Sequence, residues 1–291
     1  MKKINYAKSD YVYSSLPVSR KEEFKDAMKN NFRMLLRNGF SLLLFALPLI
    51  AFNIFMDIYH LPMTLEHFSQ DELKGILFLW EIIRLLGSVA LLFVLLIAVA
   101  GVLRINKLLV WQEGISYIAE FKKGIKENYK HFAIYLLIYS LIFIATFVLS
   151  NLFGGGILFL VLLIIYILFF VSIMIWKFMI SNVYDSTFKS TRIVAYNSYV
   201  KHILISMLFS LLVVSPLFVN LYISIDGVTA IIIKNIIVIV LLIIYYPILL
   251  LVNSLFAISV FDKEINFEDY PDYYLKGLYK VEEVKKNEKT K

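Results

Sequence analysis

The sequence predicts an all-α integral membrane protein. Its six transmembrane helices form three hairpins, each preceded by a basic amphipathic elbow helix on the cytoplasmic side. Three observations predict this. Hydrophobic residues make up 60% of the 291, at a mean hydropathy of +0.77, more than a soluble core of this size can hide. Several apolar runs reach the roughly 20 residues needed to cross about 30 Å of hydrocarbon. The decamer FKDAMKNNFR (24–33) returns as FKKGIKENYK (121–130), each time just ahead of an apolar run.

Taken in order, residues 1–18 read as a polar cytoplasmic tail. A cleaved signal would set a short basic region directly against its apolar segment, so the first span is expected to remain as an anchor. The membrane domain covers 19–261, with spans at about 39–59, 83–103, 132–151, 157–177, 203–224 and 235–261. These pair as hairpins over about 39–103, 132–177 and 203–261, and 262–291 forms a second cytoplasmic tail. Basic residues set the orientation. Of the 29 Lys and Arg, 26 lie in 1–38, 104–130, 177–201 and 262–291, while Lys74 and Lys234 alone serve the alternate loops. The positive-inside rule then places both termini in the cytoplasm, as an even number of spans requires.

The repeated decamer has the spacing of an amphipathic helix. Phe24, Met28, Phe32 and Leu35 recur at three- and four-residue steps, as do Ile118, Phe121, Ile125, Tyr129 and Phe132. Lys25, Lys29 and Arg33, and again Lys122, Lys126 and Lys130, then reach outward toward anionic lipid or a partner protein. A weaker third copy, FKSTRIVAYNSYVKH (188–202), adds Lys201 to these candidate contacts. With Arg33, Lys130 and Lys201 aligned, Pro48, Ala145 and Pro216 stand fifteen residues further on. The pattern suggests three parallel repeats over about 19–103, 113–177 and 183–261.

Within the spans, Pro48, Pro216 and Pro247 free backbone carbonyls and kink their helices, so with Tyr245 and Tyr246 they are candidate kink or cavity residues. Asn53, Asn220, Asn253, Ser88, Thr146, Ser172 and Ser254 read first as interhelical hydrogen-bonding groups and second as a polar path for a small solute. Trp111, Trp176 and Lys177 read as interfacial anchors, and Glu81 as a partner for Arg84. The tail segment 261–279 is acidic and aromatic, suited to docking through Phe267, Tyr270, Tyr273 and Tyr274.

Several chemistries lack their residues. The chain has no cysteine, no nucleotide-binding G-x-x-x-x-G-K-[ST], no H-E-x-x-H and no G-x-S-x-G. No catalytic, cofactor or metal residue is therefore expected, and nucleic acid is not an expected partner.

The stretch LRINKLLVWQEGISYIAEFKKGIKENYKHFAIYLLI, from Leu103, resembles the YesL-like family of small bacterial polytopic membrane proteins. It shares a span ending near glycine (Gly101), a short leucine-rich helix with Leu108, Leu109 and Glu113, then Phe, Lys and Asn before the next span. The resemblance covers about 40–150 and faintly 151–260. It implies a bacterial inner-membrane protein associated with carbohydrate uptake. The expected function is a non-enzymatic accessory or regulatory subunit that meets anionic inner-leaflet lipid and a protein partner in the membrane or cytoplasm. A facilitator for a small solute and a lipid-handling protein are the alternatives.

Overall fold

The structure is a computed structural model and describes residues 16–63, 70–152, 156–222 and 228–278. Side-chain surroundings are described for all of these except 59–63, 70–74, 152 and 217–222. The expected tails 1–15 and 279–291, the turn at 153–155 and the Asn220 side chain lie outside the described residues. The regular elements among the described residues are all helical: α1 Arg20–Asn30, α2 Phe32–Met63, α3 Gln70–Val110, α4 Tyr117–Leu152, α5 Ile157–Ile165, α6 Ser172–Val183, α7 Phe188–Lys201, α8 Ile203–Tyr222, α9 Val228–Val240 and α10 Tyr246–Phe261. Single π-helical turns join α5 to α6 (Tyr166–Val171) and α9 to α10 (Leu241–Tyr245), and a third follows α10 (Asp262–Asn266). Five helical stretches are long and apolar enough to cross a membrane, or six if the bent α7–α8 pair is one span.

The long helices pack as a ring in chain order: α2 on α3, α3 on α4, α4 on α6, α6 on α8, α8 on α10, and α10 back on α2. At one end α3, α6 and α10 also touch each other, and this end carries α1, α7 and the segment after α10. We call it the polar end. The main core lies here, with Leu103, Ile105, Phe132, Tyr135, Ile180, Ile258 and Phe261 at no more than 2% exposure. Toward the opposite end, no side chain in 75–95, 141–149, 156–166 or 231–241 is buried. Each helix there instead shows an exposed apolar stripe, such as Leu79, Ile83 and Leu86 on α3.

The three expected elbows differ from one another. In the first, Ser19 caps α1 by accepting from the Glu22 amide, and Asn31 alone separates α1 from α2. Arg33 therefore belongs to the span helix, and the one-residue break turns Phe32 outward to 41% exposure, off the apolar face expected for it. The second elbow is not a separate helix. Residues 121–130 are an early part of the unbroken α4, because no proline or cap interrupts them and Gly124 lets that stretch close onto Ala100 and Arg104 of α3. The third, weakest in sequence, is the sharpest: α7 meets α8 at 103°, with the break at His202. The threefold scheme thus fails at its second elbow.

Two close backbone approaches fix the ring. Pro247 has no amide hydrogen for the Ile243 carbonyl four residues earlier. That carbonyl faces Gly39 of α2 so closely that any Cβ there would collide with it. The two phenols beside Pro247 serve the other kink: Tyr245 donates to the carbonyl of Leu212 at 2.8 Å and Tyr246 to that of Val213 at 3.0 Å. Leu212 is the residue whose acceptor Pro216 leaves free. Tyr245 and Tyr246 therefore secure the break in α8. Pro216 and Pro247 are buried, whereas Pro48 faces outward on α2.

Candidate functional site

Polar side chains cluster in three knots at the polar end. The first centres on Arg20 in the opening turn of α1. Its guanidinium donates to Asp262 at 2.6 Å, to Glu23 at 2.9 Å and to the carbonyl of Lys276 at 3.2 Å, with the Val110 carbonyl at 3.5 Å. Asp262 also accepts from Asn266 (2.8 Å) and the Leu275 amide (3.2 Å), and Asn266 accepts from Tyr184 (2.6 Å). One arginine thus ties α1, the end of α3 and the hook 267–278 together.

Glu23 is 1% exposed, and its Oε1 has no hydrogen-bond partner among the described residues. Burial pushes its carboxyl up to about 8, overriding Arg20, whose charge is shared with Asp262; Asp262 and Asp26 push the same way. At neutral pH the group is mainly the neutral acid. Burial also raises the Tyr184 hydroxyl, which stays a donor.

The hook is held by its aromatic and glycine residues. Tyr273 packs on Trp111 at 5.1 Å and Tyr270 on Tyr184 at 4.9 Å. Lys276 pairs with Glu113 at 2.6 Å and lies 4.2 Å over the Trp111 ring. Gly277 has φ +87° and abuts Val110 and Trp111 so tightly that only glycine fits. Of the aromatic tail, Tyr273 packs in and Tyr270 lays one face on Tyr184 while staying 42% exposed; Phe267 is exposed and meets Tyr274 edge-on. A cleft of about 290 Å³ opens between the hook and α10, lined by Arg20, Ser259, Asp262, Lys263, Tyr274 and Leu275 among others.

The second knot joins α3, α4 and α6 through Asn182. It accepts from Asn128 at 3.2 Å, donates to the Leu103 carbonyl at 3.0 Å, and offers its own carbonyl to Lys107 at 2.6 Å. Arg104 adds pairs to Glu120 (3.2 Å) and Glu127 (2.7 Å), and Asn38 donates to Asn106 at 3.0 Å between α2 and α3. In the third knot Glu264 meets Lys201 at 3.3 Å and His202 at 2.9 Å, clamping the α7–α8 bend to the turn after α10.

All seven expected basic contacts, Lys25, Lys29, Arg33, Lys122, Lys126, Lys130 and Lys201, are exposed. Lys201 has Glu264 as its partner; the other six make no ion pair among the described residues. Other expectations change. Trp176 is buried and donates to Ser206 at 2.8 Å, so it is a packing residue, not an interfacial anchor, and Trp111 lies under the hook. Arg84 pairs with Asp57 at 2.9 Å and not with Glu81, which is exposed. Thr146 bonds back to its own helix only, while Ser254 also reaches the Met179 sulfur of α6 at 3.9 Å and Ser172 the Ser206 carbonyl of α8.

Sequence reading missed the knots. Arg20 and Asp262 stand 242 residues apart, with no local pattern to relate them. The signal that existed was an asparagine near the polar-end boundary of each of the first four spans: Asn38, Asn106, Asn128 and Asn182. No protein-family model, curated protein or solved structure matches this chain.

Proposed function

We propose that this is a six-span bacterial inner-membrane protein with both termini in the cytoplasm, acting without catalysis as an accessory or regulatory subunit. The polar end is then its cytoplasmic face. The observation that carries the proposal is the contrast between the two ends: the polar end is locked by three side-chain knots and overlaid by α1, α7 and the hook, and the other end has few buried side chains among the described residues, Met56, Ser150 and Ala230 among them. A surface fixed this firmly suits docking. The six exposed bases without an ion-pair partner on α1, α2 and α4 suit a partner with an acidic surface as well as anionic lipid. A carbohydrate transporter is the partner class suggested by the YesL-like resemblance.

Isolation in a gentle detergent tests this. We expect membrane transporter components to co-purify, and to be lost when Lys25, Lys29, Arg33, Lys122 and Lys126 are all replaced by Gln. Repeated isolations that recover no partner, or equal recovery with the substituted chain, contradict it.

The loosely packed end favours a second reading, a facilitator whose hollow opens away from the cytoplasm and whose polar end is the gate. Solute flux in reconstituted vesicles that rises when Arg20 is replaced by Ala would support this second reading; no flux in either protein would remove it.

A further inference from the structure

We propose that the polar end holds a binding site for the phosphate of an anionic lipid headgroup, formed by Lys177, Tyr135, Arg192 and the first turn of α7. The proposal rests on the reading that this end lies at the headgroup layer. Lys177 of α6 is 5% exposed, and its Nζ lies 5.1 Å from the Tyr135 ring centre, 4.9 Å from Tyr139 and 5.8 Å from Phe188. Among the described residues that ammonium makes no hydrogen bond and no ion pair. The hydroxyl of Tyr135, itself 0% exposed, is also without a partner there. Ring faces attract a cation but supply no counter-charge. A covered ammonium without an acceptor is costly. The other covered bases at this end have theirs: Arg20 has Asp262, Lys107 the Asn182 carbonyl, and Arg104 two glutamates.

The surroundings add positive potential. Arg192, exposed on α7, is close enough for its charge to act on Lys177. Helix α7 begins at Phe188, a wall of the cage, so the positive dipole end of a 14-residue helix lies beside it; the Ser190 amide of that turn is taken by the Thr187 hydroxyl. Lys189 is exposed on that first turn. Asp185 is the one carboxylate in 184–192; it is exposed and makes no ion pair among the described residues. A phosphate oxygen can accept from the ammonium, the phenol and the guanidinium together. The lipid form fits best because the cage lies six residues before the end of α6, roughly 9 Å along its axis. Ile134, Ile138 and Ile193, exposed on the flanking α4 and α7, offer apolar surface to acyl chains.

Native mass spectrometry of the full chain, titrated with phosphatidylglycerol or phosphatidylcholine, tests the site. We expect preferential retention of phosphatidylglycerol. Lys177→Met and Arg192→Gln should each weaken it about fivefold or more, since a basic residue near an anionic surface is worth about 1 kcal/mol. Phosphatidylcholine retention should not change, and Lys234→Gln, on α9 at the opposite end, should leave both lipids as they are. Arg192 is on the surface, so its substitution decides the matter even if Lys177→Met fails to fold. Unchanged phosphatidylglycerol retention in Arg192→Gln, or equal loss in Lys234→Gln, overturns the site. Displacement by millimolar orthophosphate overturns the lipid assignment in favour of free phosphate. Co-isolation of partners is a separate readout, so failure here leaves the accessory reading standing.

Discussion

Arg20 is the residue on which the polar end depends, because its guanidinium is shared between a carboxylate, a carboxyl and two backbone carbonyls from four parts of the chain. Replacing it by Ala leaves Asp262 covered and uncompensated, a loss of roughly 3–5 kcal/mol for a buried pair. Arg20→Lys should rescue little, since an ammonium cannot fork across these acceptors. Hydrogen exchange should show both α1 and 267–278 losing protection together in Arg20→Ala; loss confined to α1 contradicts the shared role. Glu23 gives the same contact a pH dependence. Its carboxyl sits at about 8 when α1 is docked, against an ordinary 4.5. Below about 4.5 it is neutral either way and docking is not penalised. Between 4.5 and 8, release lets it ionise, so docking weakens up to tenfold per pH unit. Above about 8 the loss is complete. Exchange of the α1 amides should therefore speed up from pH 5 to 8 beyond its intrinsic rate, and Glu23→Gln should remove that extra slope.

At the scale of elements, the Pro216 break explains two residues that look functional in the sequence, Tyr245 and Tyr246. Tyr245 donates to the Leu212 carbonyl that Pro216 denies an amide, and the Ser215 hydroxyl donates to it too at 2.9 Å, so Tyr245→Phe should cost about 1 kcal/mol, the net worth of one hydrogen bond. In a Pro216→Ala background the same change should cost much less, because Ala restores the amide. Thermal or denaturant unfolding of the four proteins measures this coupling, and an additive result refutes it. Gly39→Ala should destabilise more than either change, since its Cβ meets the Ile243 backbone, which cannot rotate away. Here the limits of sequence are plain. Hydropathy locates the long apolar helices well, because each must offer lipid an apolar face along its whole length. It cannot tell a bent entry from a straight one: residues 121–130 and 188–201 carry related basic-aromatic patterns, yet one continues α4 and the other turns by 103°. What separates them is packing against α3 and the pairing of His202 with Glu264, both long-range.

At the scale of the whole molecule, the asymmetry between a knotted end and a bare end follows from where polar side chains were placed along the chain. Spans ending in Asn, Lys or Arg converge, because buried polar groups there must find partners. Stretches with leucine and isoleucine alone gain little from one another in lipid and stay apart. The exposed basic belt was legible in composition; the cage around Lys177 of α6 was not, since its walls come from two other helices, α4 and α7. Because the chain has no cysteine, topology can be read without altering a native residue pair. Single cysteines at Lys8 and at Lys285 in intact cells, probed with a membrane-impermeant maleimide, address the six crossings and the inward polar end together. Both positions should be protected until the membrane is permeabilised and then label equally. Labelling of either one in intact cells contradicts the account.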